Sequence, residues 1–270
     1  MIDVALWYLF PIAILIASIS MLIGVGGAIL FTPLFIIFLD FEPIHALAAG
    51  MIIEIFALSS GLFAYLEKKI LPLQELRKLT LFVIFGTFIG VIIAQFIPSL
   101  FIQIGLFLLL SYFSYSFISD GRECLHKHPD LTHHHYHPKL TIDSTTKYTS
   151  TFGGFLLGLL SAGLGEVNEY NFLQRKKLSP SVAAGSSIFL ISISATVSII
   201  IHMIFIISKQ ELYVFSQILS ILIFCVPGVI IGAQLGVHLT KRFSNGGIEL
   251  FAGVLFLFLA AIMIVNIALF

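Results

Sequence analysis

The sequence predicts an all-α integral membrane protein of two repeats, inverted relative to one another, each with four apolar segments and each opening on a glycine-broken, re-entrant helix. Three observations predict it. Hydrophobic residues make up 59% of the 270 and charged residues only 10%, against about 25% charge in a soluble domain. Apolar runs long enough to cross a hydrocarbon core recur along the whole chain. The same short motifs then occur twice, in the same order. A formal net charge of zero gives no footprint for nucleic acid, and Cys124 and Cys225 are too far apart in sequence to form a CxxC pair.

The first apolar segment, 4–39, carries no charge. Met1-Ile2-Asp3-Val4 lacks the basic start of a secretory signal, so this segment is expected to belong to the mature protein. As one straight helix it would measure about 54 Å, whereas a bilayer core is about 30 Å thick. Gly24-Val25-Gly26-Gly27 lies in its middle and Pro33 beyond, so the helix is expected to break there. Broken backbone at membrane depth survives only inside protein or along a wet cavity. The break is therefore a candidate site.

Segments 44–66, 79–97 and 100–118 complete a first repeat over 1–118, with Glu67, Lys68, Lys69, Glu75, Arg77 and Lys78 in one polar connection. A histidine-rich hydrophilic loop, 119–148, follows. Segments 149–165, 180–207, 213–238 and 248–270 make a second repeat over 149–270. Ser20-Met21-Leu22-Ile23-Gly24-Val25-Gly26 matches Ser161-Ala162-Gly163-Leu164-Gly165-Glu166-Val167. Pro43-Ile44-His45-Ala46 matches Pro180-Ser181-Val182-Ala183. Gly86, Gly90 and Ala94 match Gly228, Gly232 and Gly236, a spacing of small residues that lets helices approach closely.

These doubled features resemble the TauE/SafE family of sulfite and organosulfonate exporters, over nearly the whole chain apart from 119–148. The resemblance implies a two-repeat permease for small sulfur-containing or carboxylate anions, with the two glycine-rich breaks meeting near the centre. The second break departs from the family pattern, with Gly165-Glu166-Val167-Asn168-Glu169 where a run of glycines is usual.

Basic residues test how the broken segments run. If both crossed the membrane completely, the 14 Lys and Arg would divide nine against five. If each turned at its glycines and returned, only Lys209 would stay on one side and thirteen would fall on the other. The positive-inside rule favours the second arrangement. It places the basic loops in the cytoplasm and both termini outside, and it inverts the second repeat relative to the first, a common transporter plan.

Half-helices starting after Gly27 and Gly165 would point backbone N–H groups into a cavity, where they favour an anion. Gly24, Gly26, Gly27, Gly165, Asn168 and Arg175 are thus candidate substrate-binding residues, with close helix packing as the plainer role for the glycines. Glu54 lies deep in an apolar helix, where ionisable groups usually mark an ion or proton path. Ala46, Gly50 and Glu54, spaced by four, share one face. Glu166 and Glu169 join Glu54 as candidates for proton or ion coupling, with helix capping as the alternative for that pair. His126, His128, His133, His134, His135 and His137 form a candidate metal-binding cluster. His45 and His202 read as packing or interfacial residues. Ser186 and Ser187 precede His202 in one helix, but about 22 Å of rise separates Ser187 from His202, so no hydrolase is expected.

The expected function is a bilayer-embedded permease for a small sulfur oxyanion, sulfonate or related organic anion, with protons as the coupling ion and no cofactor. Two alternatives are a divalent-metal transporter using the acidic second break and the histidine loop, and a non-transporting metal sensor or scaffold.

Overall fold

The computed structural model describes residues 4–23, 26–67, 69–126, 140–239 and 245–269, and all their regular structure is helical. A 3-10 turn, Val4–Tyr8, leads into α1 (Leu9–Ile23). Then come α2 (Ala28–Phe38), α3 (Pro43–Glu67), α4 (Leu73–Phe96) and α5 (Ser99–His126). The second half runs α6 (Ser144–Leu160), α7 (Leu164–Tyr170) with a π-helical turn at Asn171–Arg175, α8 (Pro180–Ser208), α9 (Leu212–Leu239) and α10 (Asn245–Leu269). Among the described residues, α4, α5, α8, α9 and α10 are each long and apolar enough to cross a bilayer, and shorter apolar helices accompany them. The chain is a multi-pass membrane protein.

Local chemistry sets several boundaries. Pro43 and Pro180 open α3 and α8, where a missing N–H costs no helical hydrogen bond. Pro33 lies inside α2, so the chain breaks at the glycine-rich stretch and not at the proline. The polar connection is shorter than its composition suggests. α5 continues to His126 and α6 already starts at Ser144, because Asp143 caps α6, accepting from the Thr146 N–H at 2.8 Å and from its hydroxyl at 2.6 Å.

The glycine ladders set the helix pairing. Gly86 and Gly90 of α4 abut the carbonyls of Thr151 and Phe155 on α6, and Gly154 and Gly158 of α6 abut those of Val83 and Thr87. Any side chain there would strike backbone, and the rising numbers show that the two helices run parallel. Gly228, Gly232 and Gly236 of α9 abut Phe10, Ile14 and Ser18 of α1 in the same way, and the Ser18 hydroxyl donates to the Gly232 carbonyl at 3.0 Å. α3 and α8 run antiparallel, with His45 beside Glu211 at one end and Gly185 against Tyr65 and Leu71 at the other. α5 meets α10 where Phe113 and Phe117 pack on Phe256.

Both broken segments fold back on themselves. Gly153 of α6 touches Leu164, Ser150 donates to Asn168 at 3.0 Å, and Asn171 donates to Thr149 at 3.2 Å. At the base of this arm Lys176 pairs with Asp143 at 2.7 Å. That bond, with the Thr146 donors, holds the Asp143 carboxyl well below the usual carboxylate range. In the first arm, Leu6 before α1 shares a cleft with Asp40 and Phe41 beyond α2, and with Tyr213 at the start of α9. The two arms open on opposite faces of the bundle. Lys209 lies on the first-arm face with Asp40, Glu42 and Glu211. Lys78, Lys147, Arg175, Lys176 and Lys177 lie on the second-arm face.

Candidate functional site

The tips of the two arms meet inside the bundle. A helix start leaves backbone N–H groups without partners of its own, and α2 starts at Ala28. The amides of Gly27 and Ala28 face the carboxylate of Glu54 on α3. Glu54 comes this close because Gly50, one turn earlier, lets α2 settle on α3: a Cβ there would lie 2.8 Å from Thr32 Oγ1 and 3.4 Å from the Ala28 carbonyl. Gly26 is tighter still, since any Cβ would run into Glu54 Oε1. Glu54 is 2% exposed, and its Oε2 has no hydrogen-bond partner.

At the other tip, Ser161 ends α6 at φ +57° and Gly163 precedes α7 at φ +102°, a conformation that glycine alone adopts without strain. The Gly163 N–H donates to Glu166 Oε2 at 3.1 Å, so Glu166 caps its own helix. The second half-helix begins at Leu164, not after Gly165, because Gly163 makes the turn. Gly165 sits in the first turn, where a Cβ would reach within 2.9 Å of Ile191. The Thr32 and Ser161 hydroxyls, 2.9 Å apart, tie one tip to the other. Between them lies a narrow void lined by Gly26, Glu54, Ser161, Gly163, Glu166 and Ile191. Glu54 and Glu166 are close enough to repel electrostatically.

Other expected site residues fall elsewhere. Asn168 is buried but turned to Ser150 on α6, its amide holding the hairpin closed. Arg175 is exposed on the second-arm face. The arm folds back, so residues past its first turn move away from the tip. Gly24, the side chains of Glu169 and His126, and His128, His133, His134, His135 and His137 lie outside the described residues. Among the described residues no three His, Cys, Asp or Glu side chains cluster as metal ligands. Ser20, matched to Ser161 in sequence, lies within α1, whereas Ser161 caps α6. Gly27 and Gly163 both directly precede a half-helix.

A sequence profile described as "Sulfite exporter TauE/SafE" matches residues 9–263, taking in both arms and the void. The chain belongs to the sulfite exporter TauE/SafE family. No curated protein and no solved structure matches it. TauE/SafE is a family of membrane transporters. In this TauE/SafE chain, Ser186 and Ser187 are buried in α8, and His202 bonds to Gln95 at 2.9 Å.

Several polar residues of this TauE/SafE chain escape a reading by sequence. Thr32 and Gln95 are single polar residues inside long apolar runs, and that isolation is the signal that marks them. His45, expected as an interfacial residue, bonds through Nε2 to Glu211 Oε2 at 2.9 Å.

Proposed function

We propose that the protein exports a small sulfur oxyanion or sulfonate from the meeting point of the two arms, with anion binding linked to protonation of Glu54. The observation that carries this is the Glu54 carboxylate set against Gly26 and facing the Gly27 and Ala28 amides at the start of α2. Amides at a helix start are ready-made donors for an oxyanion. Here a side-chain carboxylate of the protein takes the place of one. A proton on Glu54 weakens that hold and removes a negative charge from the void, freeing the same donors for substrate. Glu166, across the void, adds to the repulsion that an anion meets until a proton is taken up.

By linkage, each party's binding then favours the other's, so anion affinity should rise as pH falls. Gly26, Gly27, Gly163 and Gly165 serve by bareness, letting a substrate approach backbone. Family membership does not favour the metal-transporter or sensor readings.

The repeat plan is part of the same proposal: 1–118 and 149–270 are inverted copies. What supports it is reciprocal packing. α1 lies on α9 as α6 lies on α4, and the arms open on opposite faces. The segregation of bases supports a cytoplasmic second-arm face, with both termini outside.

The test is efflux of radiolabelled sulfite, and separately taurine, from sealed vesicles containing the purified protein, at several pH values. We expect saturable efflux above that of empty vesicles, with tighter binding at lower pH. Absence of flux for sulfite and every sulfonate tried, alongside flux of a divalent metal, would sink the proposal.

A further inference from the structure

A second polar cluster lies away from the void, at the first-arm face. A tight crevice there is lined by His45, Gln95, His202, Lys209 and Glu211, with Ile44, Phe205 and Ile206 as its apolar wall. The Gln95 side-chain nitrogen lies 2.9 Å from His202 Nδ1. An amide nitrogen only donates, so Nδ1 accepts and the neutral ring carries its proton on Nε2. That Nε2 is buried and has no hydrogen-bond partner. His45 stands nearby between two carboxylates, Glu211 at 2.9 Å and Glu42 at 3.8 Å. Glu211 is 30% exposed at its side chain, so the cluster runs from a wet rim to a dry interior.

The same interface continues toward the centre. His202, Ser198, Ser194 and Ile191 follow one another on one face of α8 at spacings of three and four residues, about 5–6 Å per step. Ile191 lines the central void. Ser194 bonds to Thr87 of α4, and Ser198 is buried with a hydroxyl that has no protein partner. On α4, Thr87 and Gln95 are two turns apart. Packing alone would favour apolar side chains at these positions. An unpaired buried polar group costs about 1–3 kcal/mol, and here two follow one another along one line.

We infer that the α4–α8 interface is a proton path, with His202 as its station, joining the first-arm face to the carboxylates of the central void. The inference rests on the function proposed above and adds a route for the proton separate from the bare glycine surface offered to the anion. Each step conserves protons. Groups about 5–6 Å apart do not touch, so a water bridges each gap, the last one past Ile191. A hydroxyl or water accepts one proton on oxygen and releases its own, and the imidazole takes one at one nitrogen and gives one up at the other. Gln95 tolerates both states, because its amide presents nitrogen to an acceptor Nδ1 or oxygen to a protonated one. The charged and titratable groups around His202 are His45 from the start of α3, and Lys209 and Glu211 from the α8–α9 turn, with Glu42 on the far side of His45. α4 contributes the neutral Gln95.

The experiment compares wild type, His202→Gln and Ser198→Ala in sealed vesicles. One assay follows equal-pH exchange of radiolabelled sulfite. A second follows its accumulation driven by a pH gradient, and a third uses a trapped pH dye to read lumenal pH under an imposed potential. His202→Gln should lose gradient-driven accumulation by about 10-fold or more, the scale of losing a proton-transfer group, while exchange stays within about twofold. Ser198→Ala, which leaves the imidazole in place, should show a smaller loss of the same kind. Unchanged gradient-driven accumulation in both variants would overturn the path, as would equal loss of exchange and accumulation. A wild type that moves neither sulfite nor taurine counts against the proposed substrate instead. The dye assay then decides the path on its own: slower proton movement in His202→Gln supports it, and equal rates reject it.

Discussion

The Thr32 and Ser161 hydroxyls stand 2.9 Å apart, although 129 residues separate them in the chain. One belongs to α2 of the first arm, the other to the left-handed cap that ends α6 in the second. Their bond fixes how the two tips face each other across the void. Thr32→Val keeps the shape and deletes one of the two hydroxyls, leaving that of Ser161 in a buried site. The expected cost is about 1–3 kcal/mol, read as a lower unfolding temperature in detergent, with sulfite flux reduced. Stability equal to wild type would show that the bond does not hold the tips together.

Gly26→Ala should already disturb the centre, because even a methyl group meets Glu54 Oε1. Gly26→Leu should abolish flux with membrane expression and monodispersity near normal. Wild-type flux in the leucine variant would remove Gly26 from the pathway.

Glu54→Gln keeps the volume and removes the titratable group. Its amide oxygen can still accept from Gly27 and Ala28, but no proton is taken up when an anion arrives. Sulfite affinity should therefore lose its rise at low pH, and uphill transport should fail while exchange persists. Titrations at several pH values check this; an unchanged pH dependence would assign coupling to another residue.

Asp143 gives a pH prediction of the opposite kind. Lys176 and Thr146 depress its carboxyl, so its contribution to stability is present above the unfolded carboxylate value of about 3.9 and is lost as pH falls through the lower folded value. Asp143→Ala should lower stability by on the order of 1 kcal/mol, as for a lost helix cap, and equally at every pH from 5 to 8. A deficit growing across that window would point to another group.

Orientation is tested with single cysteines at Ser144 and Gln210, in a background lacking Cys124 and Cys225. An impermeant thiol reagent applied to intact cells should label Gln210→Cys and spare Ser144→Cys. The reverse pattern would turn the molecule over in the membrane.

Much of the architecture is legible in the sequence because it rests on backbone rules. A charge-free run too long for one crossing, with Gly26 and Gly27 in its middle, has to bend. The recurring ladder at Gly86, Gly90, Gly228 and Gly232 has to meet another backbone. Harder to read are contacts made between helices. Nothing near Glu54 in sequence says that it reaches the start of α2, whereas the capping role weighed for Glu166 is the one it takes at the Gly163 amide. The limits of α5 and α6 were hidden because their polar turns continue as helix past the apolar stretch.

The parallel stacking of α1 on α9 also constrains how the protein is made. Ser18 waits for Gly232, 214 residues later in the chain. At a synthesis rate of about 5–20 residues per second, that is roughly 10–40 s. Through that interval the first arm has no permanent neighbour on its α9 side. The newborn arm must shelter against the insertion machinery or remain shallow in the membrane until α9 arrives. Expressed alone, the first half should be degraded. Co-expressed as two pieces cut between α5 and α6, the halves should find each other, because the surfaces that α1 and α6 require lie on the opposite piece.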